Sequence, residues 1–115
     1  MTARTDAMER AYQEARAAGT LEQLNEVAPL KEWAYWKLIP NRFPHDKLNV
    51  KHLMIVLKRE ANIWEIEQAE LNNLWRDILP SLDAEYDYVK INLAAMRSVA
   101  NVPHLHVAVY RSEFR

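Results

Sequence analysis

The chain has 115 residues, half of them hydrophobic, and a formal net charge of −1 at pH 7. This composition fits one globular domain with a modest core, and the charge provides no general attraction to nucleic acid or to an anionic membrane. We expect no signal peptide and no membrane span, because no apolar stretch is long enough for either. The chain has no cysteine, which excludes disulfides and thiolate sites and fits a reducing compartment such as the cytoplasm. Its single glycine excludes the Walker and dinucleotide-binding loops, which need several glycines.

Two helices are predicted in the N-terminal region, before the first strand. Apolar residues spaced three or four positions apart predict a helix over residues 5–18, with Thr5 or Asp6 as its N-cap and Gly19 at its end. Residues 20–23 (TLEQ) match a capping box, which predicts a second short helix before the next proline. We expect both helices to be structural, packing on the sheet or on a partner subunit.

Two strands and a longer helix follow. Residues 33–39 (WAYWKLI) are aromatic and β-prone, which predicts a strand that Pro40 ends. Residues 52–57 (HLMIVL) are almost continuously apolar, which predicts a central strand buried on both sides. Apolar residues at helical spacing predict a helix over residues 71–78, which Pro80 terminates.

The last part of the chain is predicted to contain two more strands. Residues 88–94 alternate in polarity, with Lys90 and Asn92 facing outward. Residues 103–110 (PHLHVAVY) alternate as well. The side chains that would face the core are Leu105, Val107 and Val109. The order helix, strand, strand, helix, strand, strand predicts an antiparallel α+β domain.

Two of the four histidines, His104 and His106, share one face of the last predicted strand. A strand rises about 3.3 Å per residue, so the two imidazoles would lie about 7 Å apart. Such a pair either binds a ligand or does chemistry, or it is a half-exposed pair without a function. With His52 the pair could also bind zinc, iron or copper, but the strand offers no acidic ligand, so we expect no metal.

Four segments of the chain together resemble the histidine triad (HIT) superfamily. They are residues 41–44 (NRFP), 52–59 (HLMIVLKR), 90–95 (KINLAA) and 103–107 (PHLHV). The family's signature is His-x-His-x-His followed by two apolar residues. The resemblance implies a HIT-like antiparallel sheet of about five strands with packed helices at residues 31–115. A helical extension at residues 1–30 would precede it within one globular unit.

The resemblance also implies a nucleotide hydrolase or transferase that acts at an α-phosphate. In the family, the middle histidine of the motif attacks phosphorus and forms a covalent nucleotidyl-histidine, which water or an acceptor resolves. We expect no cofactor, since an imidazole with a pKa near 6.5 is substantially neutral at pH 7 and can attack by itself. The implied partners are a nucleotide or nucleotide conjugate and a second copy of the chain, because the family forms twofold dimers with a sheet continued across the subunits.

The histidine motif can be aligned with the family in two ways. In the preferred register, His104 occupies the first histidine position, His106 is the nucleophile and Ala108 stands where the third histidine would be. In the alternative register, shifted by two residues, His104 is the nucleophile, His106 is the third histidine and Val102 occupies the first position. The preferred register aligns Pro-x-Leu-His-Val with family members whose motif starts Pro-Gln-Leu-His.

The resemblance further implies a set of substrate-binding residues. His52 matches a family position that lines the nucleotide site, and Asn92 would orient a phosphate or a ribose. Without the resemblance, each of these two could equally be interpreted as an ordinary surface residue of a strand. The remaining predicted contacts are Asn41, Arg97 and Ser98.

Three departures from the family pattern favour an alternative function, a nucleotide-binding or protein-interaction module that has lost turnover. Ala108 lacks the hydrogen-bond donor of a third histidine, which would cost on the order of 10²–10³ in rate. Residues 96–101 contain no glycine, although the family's phosphate loop does. Glu60 adds a negative charge where the family has histidine.

Overall fold

The structure is a computed structural model that describes residues 3–93 and 99–115. At its centre is an antiparallel sheet. Its strands are β1 (Lys31–Glu32), β2 (Trp36–Pro40), β3 (Asn49–Leu57), β4 (Tyr88–Lys90) and β5 (His104–Tyr110). They lie side by side in the order β1-β2-β3-β5-β4, and each neighbouring pair is antiparallel. The predicted antiparallel α+β fold of about five strands is therefore confirmed.

The α-helices lie before β1 and between β3 and β4. The helical elements are α1 (Asp6–Ala18), α2 (Gln68–Asn72), α3 (Leu79–Leu82), a π-helical segment at Asn73–Ile78 and 3₁₀ turns at Leu24–Glu26, Ile63–Glu65 and Ser112–Phe114. Among the residues described, none of these helices is long and apolar enough to cross a membrane.

Helix α1 begins and ends where the sequence predicts. The hydroxyl of Thr5 accepts a hydrogen bond from the backbone N–H of Met8 at 3.3 Å, as an N-cap does. Gly19 follows the last turn with a φ of +70°, a left-handed conformation that glycine adopts without steric cost. The second predicted helix is only a 3₁₀ turn at Leu24–Glu26, because the hydroxyl of Thr20 donates back to the last turn of α1 instead of capping a new helix.

The helical region between β3 and β4 continues past Pro80, where the sequence predicts its end. Pro80 lies in the first turn of α3, a position where the missing N–H of proline costs no hydrogen bond. The π-helical segment immediately before α3 changes the hydrogen-bond register of the helix. A new helical turn therefore starts at Leu79 instead of the helix stopping there.

The limits of two strands differ from the predicted ones. β2 begins later, because the backbone N–H of Trp33 bonds the carbonyl of Trp36 at 2.9 Å in the turn after β1. β3 begins earlier, since Asn49 already pairs with Tyr110 of β5.

The predicted strand at residues 88–94 is shorter in the structure. β4 is an edge strand with β5 as its neighbour, and it ends at Lys90. Residues 91–93 are not in a strand, and residue 94 lies outside the described part of the chain.

Both faces of the sheet are covered. The helical elements between β3 and β4 pack on one face, where Leu105 and Val107 of β5 point into the core as predicted. The buried cluster on this face contains Trp36, Leu38, Ile55, Leu57, Leu74, Ile78, Leu82 and Val107. The cluster on the second face contains Ile39, Met54, Val56 and Val102, with Leu24 and Val27 packed against it.

Lys37 holds the covering segment on this second face. Its side chain is buried, and Nζ donates to the carbonyls of Asn25 at 2.7 Å and Val27 at 2.6 Å. A hydrogen bond to a charged group contributes about 1.5–3 kcal/mol. The 3₁₀ turn at Leu24–Glu26 is thereby fixed over the strands that carry the histidines.

Candidate functional site

The predicted histidine face of β5 lies on the second face of the sheet. His106 pairs with Met54 of β3, and His104 pairs with Val56. Because residues that pair in antiparallel strands point to the same side, both imidazoles lie on the face that Val27 helps to cover. Each histidine is 7% exposed, so the pair is buried and not half-exposed.

His45 and His52 complete a cluster that contains all four histidines of the chain. The ring centroids of His45 and His52 are 4.6 Å apart. His106 lies 5.0 Å from His52 and 5.4 Å from His104 by the same measure. Sequence reasoning misses His45, because it lies in the loop between β2 and β3 and a loop position carries no periodic signal.

The predicted residues His52, Asn92 and His106 meet at one place. Nε2 of His52 lies 2.9 Å from Nδ1 of His106, and the amide nitrogen of Asn92 lies 3.3 Å from Nε2 of His106. The second ring nitrogen of His52, Nδ1, accepts a hydrogen bond from the backbone N–H of His45 at 2.9 Å. Both ring nitrogens of His106 are therefore engaged by polar groups of the protein.

The ring of His104 is held by the backbone. Its Nδ1 lies 2.8 Å from the carbonyl oxygen of Val102. A carbonyl only accepts hydrogen bonds, so Nδ1 carries the proton and, in the neutral ring, Nε2 has the lone pair. This is the tautomer that a nucleophilic imidazole requires. In the alternative register, where His104 would be the nucleophile and His106 the third histidine, this tautomer would be required.

A cavity of about 400 Å³ opens beside His104 and His106. Its lining residues include Arg4, Asn41 and Arg42. Most of the wall is apolar and includes Tyr12, Leu24, Val27, Ile39, Phe43 and Met54. A cleft of this size, mostly apolar with a few polar groups, is typical of small-molecule sites.

Burial keeps three of the imidazoles neutral. Desolvation, followed by the charges of neighbouring histidines and of Lys90, lowers the pKa of His52 and of His106 to about 3. Desolvation, followed by the charges of Arg4 and Lys90, lowers the pKa of His45 to about 4. Lys90 pairs with His106 across β4 and β5, so its positive charge lies on the same face of the sheet as the site. The sequence analysis assigned no role to this residue.

Asn41 lies on the cavity wall and also contacts His52. Its amide oxygen accepts a hydrogen bond from the backbone N–H of Phe43 at 3.0 Å, and its amide nitrogen lies 3.4 Å from Nδ1 of His52. The other two predicted contacts, Arg97 and Ser98, lie outside the described residues. Within the part of the chain that the structure describes, no group of three histidine or carboxylate side chains is arranged to hold a metal ion.

Comparisons with known proteins provide no relative from which the site could be interpreted. The chain matches no family model, and no curated protein or solved structure matches it. The resemblance to the HIT superfamily therefore rests on the four segments quoted above.

Ala108, which replaces the third histidine in the preferred register, is tightly enclosed. Its side chain is fully buried. Its partners in the sheet are His52 of β3 and Tyr88 of β4, which flank it on the same face. A larger side chain at this position would have to displace one of them.

We predict that Ala108→His destabilises the protein by about 1–3 kcal/mol, because an imidazole overpacks this position. Urea denaturation followed by tryptophan fluorescence measures the change. Ala84→His, at an exposed position, is the control and should be close to neutral. An Ala108→His variant as stable as the wild type would show that the sheet has room for a third histidine there.

We expect the free energy of unfolding to fall as the pH decreases from 6.5 to 5. The unfolded chain protonates His52 and His106 near pH 6.5, whereas their folded-state pKa of about 3 keeps them neutral, so protons favour the unfolded state. The stability is complete above pH 6.5, and each histidine removes up to about 1.4 kcal/mol per pH unit below it.

Urea denaturation at pH 7, 6 and 5 measures this dependence. The window ends at pH 5 because carboxyl groups titrate below it. His52→Gln removes one titrating group and should show a shallower slope than the wild type. Equal stability at pH 7 and pH 5 would contradict the buried, neutral state of the cluster.

Proposed function

We propose that the protein is a HIT-like nucleotide phosphohydrolase or nucleotidyl transferase that acts at an α-phosphate through a nucleotidyl-histidine intermediate. The observation that carries this proposal is the 2.8 Å hydrogen bond between Nδ1 of His104 and the carbonyl of Val102. It lies beside a cavity of about 400 Å³. A backbone carbonyl cannot change its protonation, so it fixes the lone pair of His104 on Nε2.

In the proposed reaction, Nε2 of His104 attacks the α-phosphorus of a nucleotide conjugate. A phosphorus–nitrogen bond forms while the bond from phosphorus to the leaving group breaks. The leaving group departs with the bonding electrons and takes a proton from water. Water or an acceptor hydroxyl then attacks the same phosphorus and loses its proton to solvent. The phosphorus–nitrogen bond breaks, which releases the nucleotide and returns the electron pair to the imidazole.

The cavity suits the rest of a nucleotide. Tyr12 and Phe43 form an edge-to-face pair on its wall, with ring centroids 5.5 Å apart, and aromatic side chains stack with bases. The polar group of His52, Asn92 and His106 adjoins His104 and supports a role in holding the phosphate or the ribose.

We expect the protein to release AMP from adenosine 5′-phosphoramidate. His104→Asn should abolish this activity, since asparagine has no nucleophilic nitrogen. His106→Asn should retain a residual rate, lower by about 10²–10³, because it loses a donor and keeps the nucleophile. Chromatography of the nucleotides measures the rate, and mass spectrometry of alkali-quenched protein locates the nucleotidyl group.

The two variants serve as controls for each other, provided that their circular dichroism and melting temperatures show a folded protein. A nucleotidyl group on His106, or full activity in His104→Asn, would contradict the assignment of the nucleophile. A wild type that releases no AMP would contradict the proposed reaction.

A second candidate function is a nucleotide-binding or protein-interaction module without turnover. It is favoured by His106, whose two ring nitrogens are engaged by His52 and Asn92. A ligand that binds only the folded state raises its apparent stability. Thermal stabilisation by AMP, together with no release of AMP from the phosphoramidate, would select this function.

We also propose that the protein acts in the cytoplasm as a homodimer, with β4 at the subunit interface. Among the strands of the described residues, β4 is at the edge of the sheet, and an unpaired edge readily pairs with another strand. Three apolar side chains in and after this strand are 40–61% exposed, those of Val89, Ile91 and Leu93.

Light scattering should give a mass near twice the chain mass of 13.5 kDa. Val89→Lys should reduce it to that of one chain, because a charge on an edge strand opposes pairing. Val50→Lys, at a valine that is 63% exposed on β3, is the matched control and should leave the dimer intact. A monomeric wild type would contradict this proposal.

A further inference from the structure

Arg4 brings a positive charge to the cavity from the N-terminal extension, outside the segments that resemble the HIT superfamily. It lies on the wall of the same cavity as His104 and His106. Its side chain is 19% exposed, so the guanidinium is partly removed from water. Sequence reasoning misses this residue, because it precedes the first predicted helix.

Hydrogen bonds fix the backbone on both sides of Arg4. The carbonyl of Ala3 accepts a hydrogen bond from the backbone N–H of Lys47 at 2.9 Å. The backbone N–H and the hydroxyl of Thr5 donate to the two carboxylate oxygens of Asp46 at 2.7 Å and 2.9 Å. The start of the extension is thereby tied to the loop between β2 and β3, next to the histidine cluster.

Several contacts also orient the guanidinium of Arg4. Nε donates to the carbonyl of Phe43 at 2.8 Å, and Nη1 pairs with the carboxylate of Glu9 at 3.1 Å. Cζ lies 4.4 Å from the centre of the Tyr12 ring. Because the planar group is already oriented, it loses little conformational entropy when it binds a ligand.

The charge of Arg4 acts on the histidine cluster. After desolvation, Arg4 and Lys90 contribute most to the lowered pKa of His45, while the carboxylates of Glu9 and Asp46 act in the opposite direction and more weakly. The surrounding charges therefore produce a net positive field at His45, which would stabilise an anion bound beside this residue.

We propose that Arg4 binds the phosphoryl group of an anionic ligand seated against His104 and His106, so that the N-terminal extension completes the anion site of the cavity. This inference rests on the proposed function in that the ligand carries a phosphate ester. Arginine suits the role, because its guanidinium forms paired hydrogen bonds with phosphate oxygens.

Isothermal titration calorimetry of the full chain with AMP and with adenosine tests this assignment. In Arg4→Gln the dissociation constant for AMP should rise about tenfold, while that for adenosine, which has no phosphate, should stay within about twofold. Arg4→Lys should restore part of the AMP affinity, since it keeps the charge. Arg10→Gln, at an exposed position of α1, is the matched control and should bind AMP as the wild type does.

Unchanged AMP affinity in Arg4→Gln, or an equal loss of AMP and adenosine affinity, would overturn the inference. A wild type that binds AMP no more tightly than adenosine would overturn it as well. The turnover test remains separate. A wild type that releases no AMP from the phosphoramidate, with an Arg4→Gln variant selectively weakened for AMP, would refute the reaction and support the anion site.

Discussion

The hydrogen bond between Nε2 of His52 and Nδ1 of His106 joins β3 and β5 through their side chains, and the proton arrangement of the site depends on it. Asn41 helps to determine which of the two histidines donates in this hydrogen bond. The amide oxygen of Asn41 accepts from the backbone of Phe43, so its amide nitrogen faces Nδ1 of His52. The backbone N–H of His45 points to the same nitrogen. With donors at Nδ1, the neutral His52 must carry its proton on Nε2, and it therefore donates to His106.

His106 and His104, on the same strand, therefore carry their protons on different ring nitrogens. Nδ1 of His106 accepts, so its proton is on Nε2. In a neutral ring, Nε2 of His104 has a lone pair, because the carbonyl of Val102 holds the proton on Nδ1. The two imidazoles therefore differ in the ring nitrogen that carries the proton, which is Nε2 in His106 and Nδ1 in a neutral His104.

The alternation of residues in β5 is enough to predict that His104 and His106 share a face, because the side chains of a strand repeat every two residues. It also predicts which face, because a shift of one residue would turn every side chain to the other side. The α+β class follows from the order of the predicted elements. Local patterns do not predict the burial of the histidine face, since it depends on Lys37 holding a segment that is distant in the chain. They also do not predict that His45 lies in the cluster, because its position depends on contacts between its loop and residues 3–5. The hydrogen bond between His104 and the carbonyl of Val102 could not be predicted either, because residue spacing does not encode it.

The same loop connects the N-terminal extension to the chemistry of the cluster. The carboxylate of Asp46 accepts two hydrogen bonds from Thr5, and its backbone carbonyl accepts one from Nε of Arg111 at 2.6 Å, just after β5. The start of α1 and the end of the histidine strand are therefore held by a single residue. The preceding residue in this loop, His45, donates its backbone N–H to Nδ1 of His52. Residues 3–5 are therefore bound to the same loop that supplies the backbone hydrogen bond to His52.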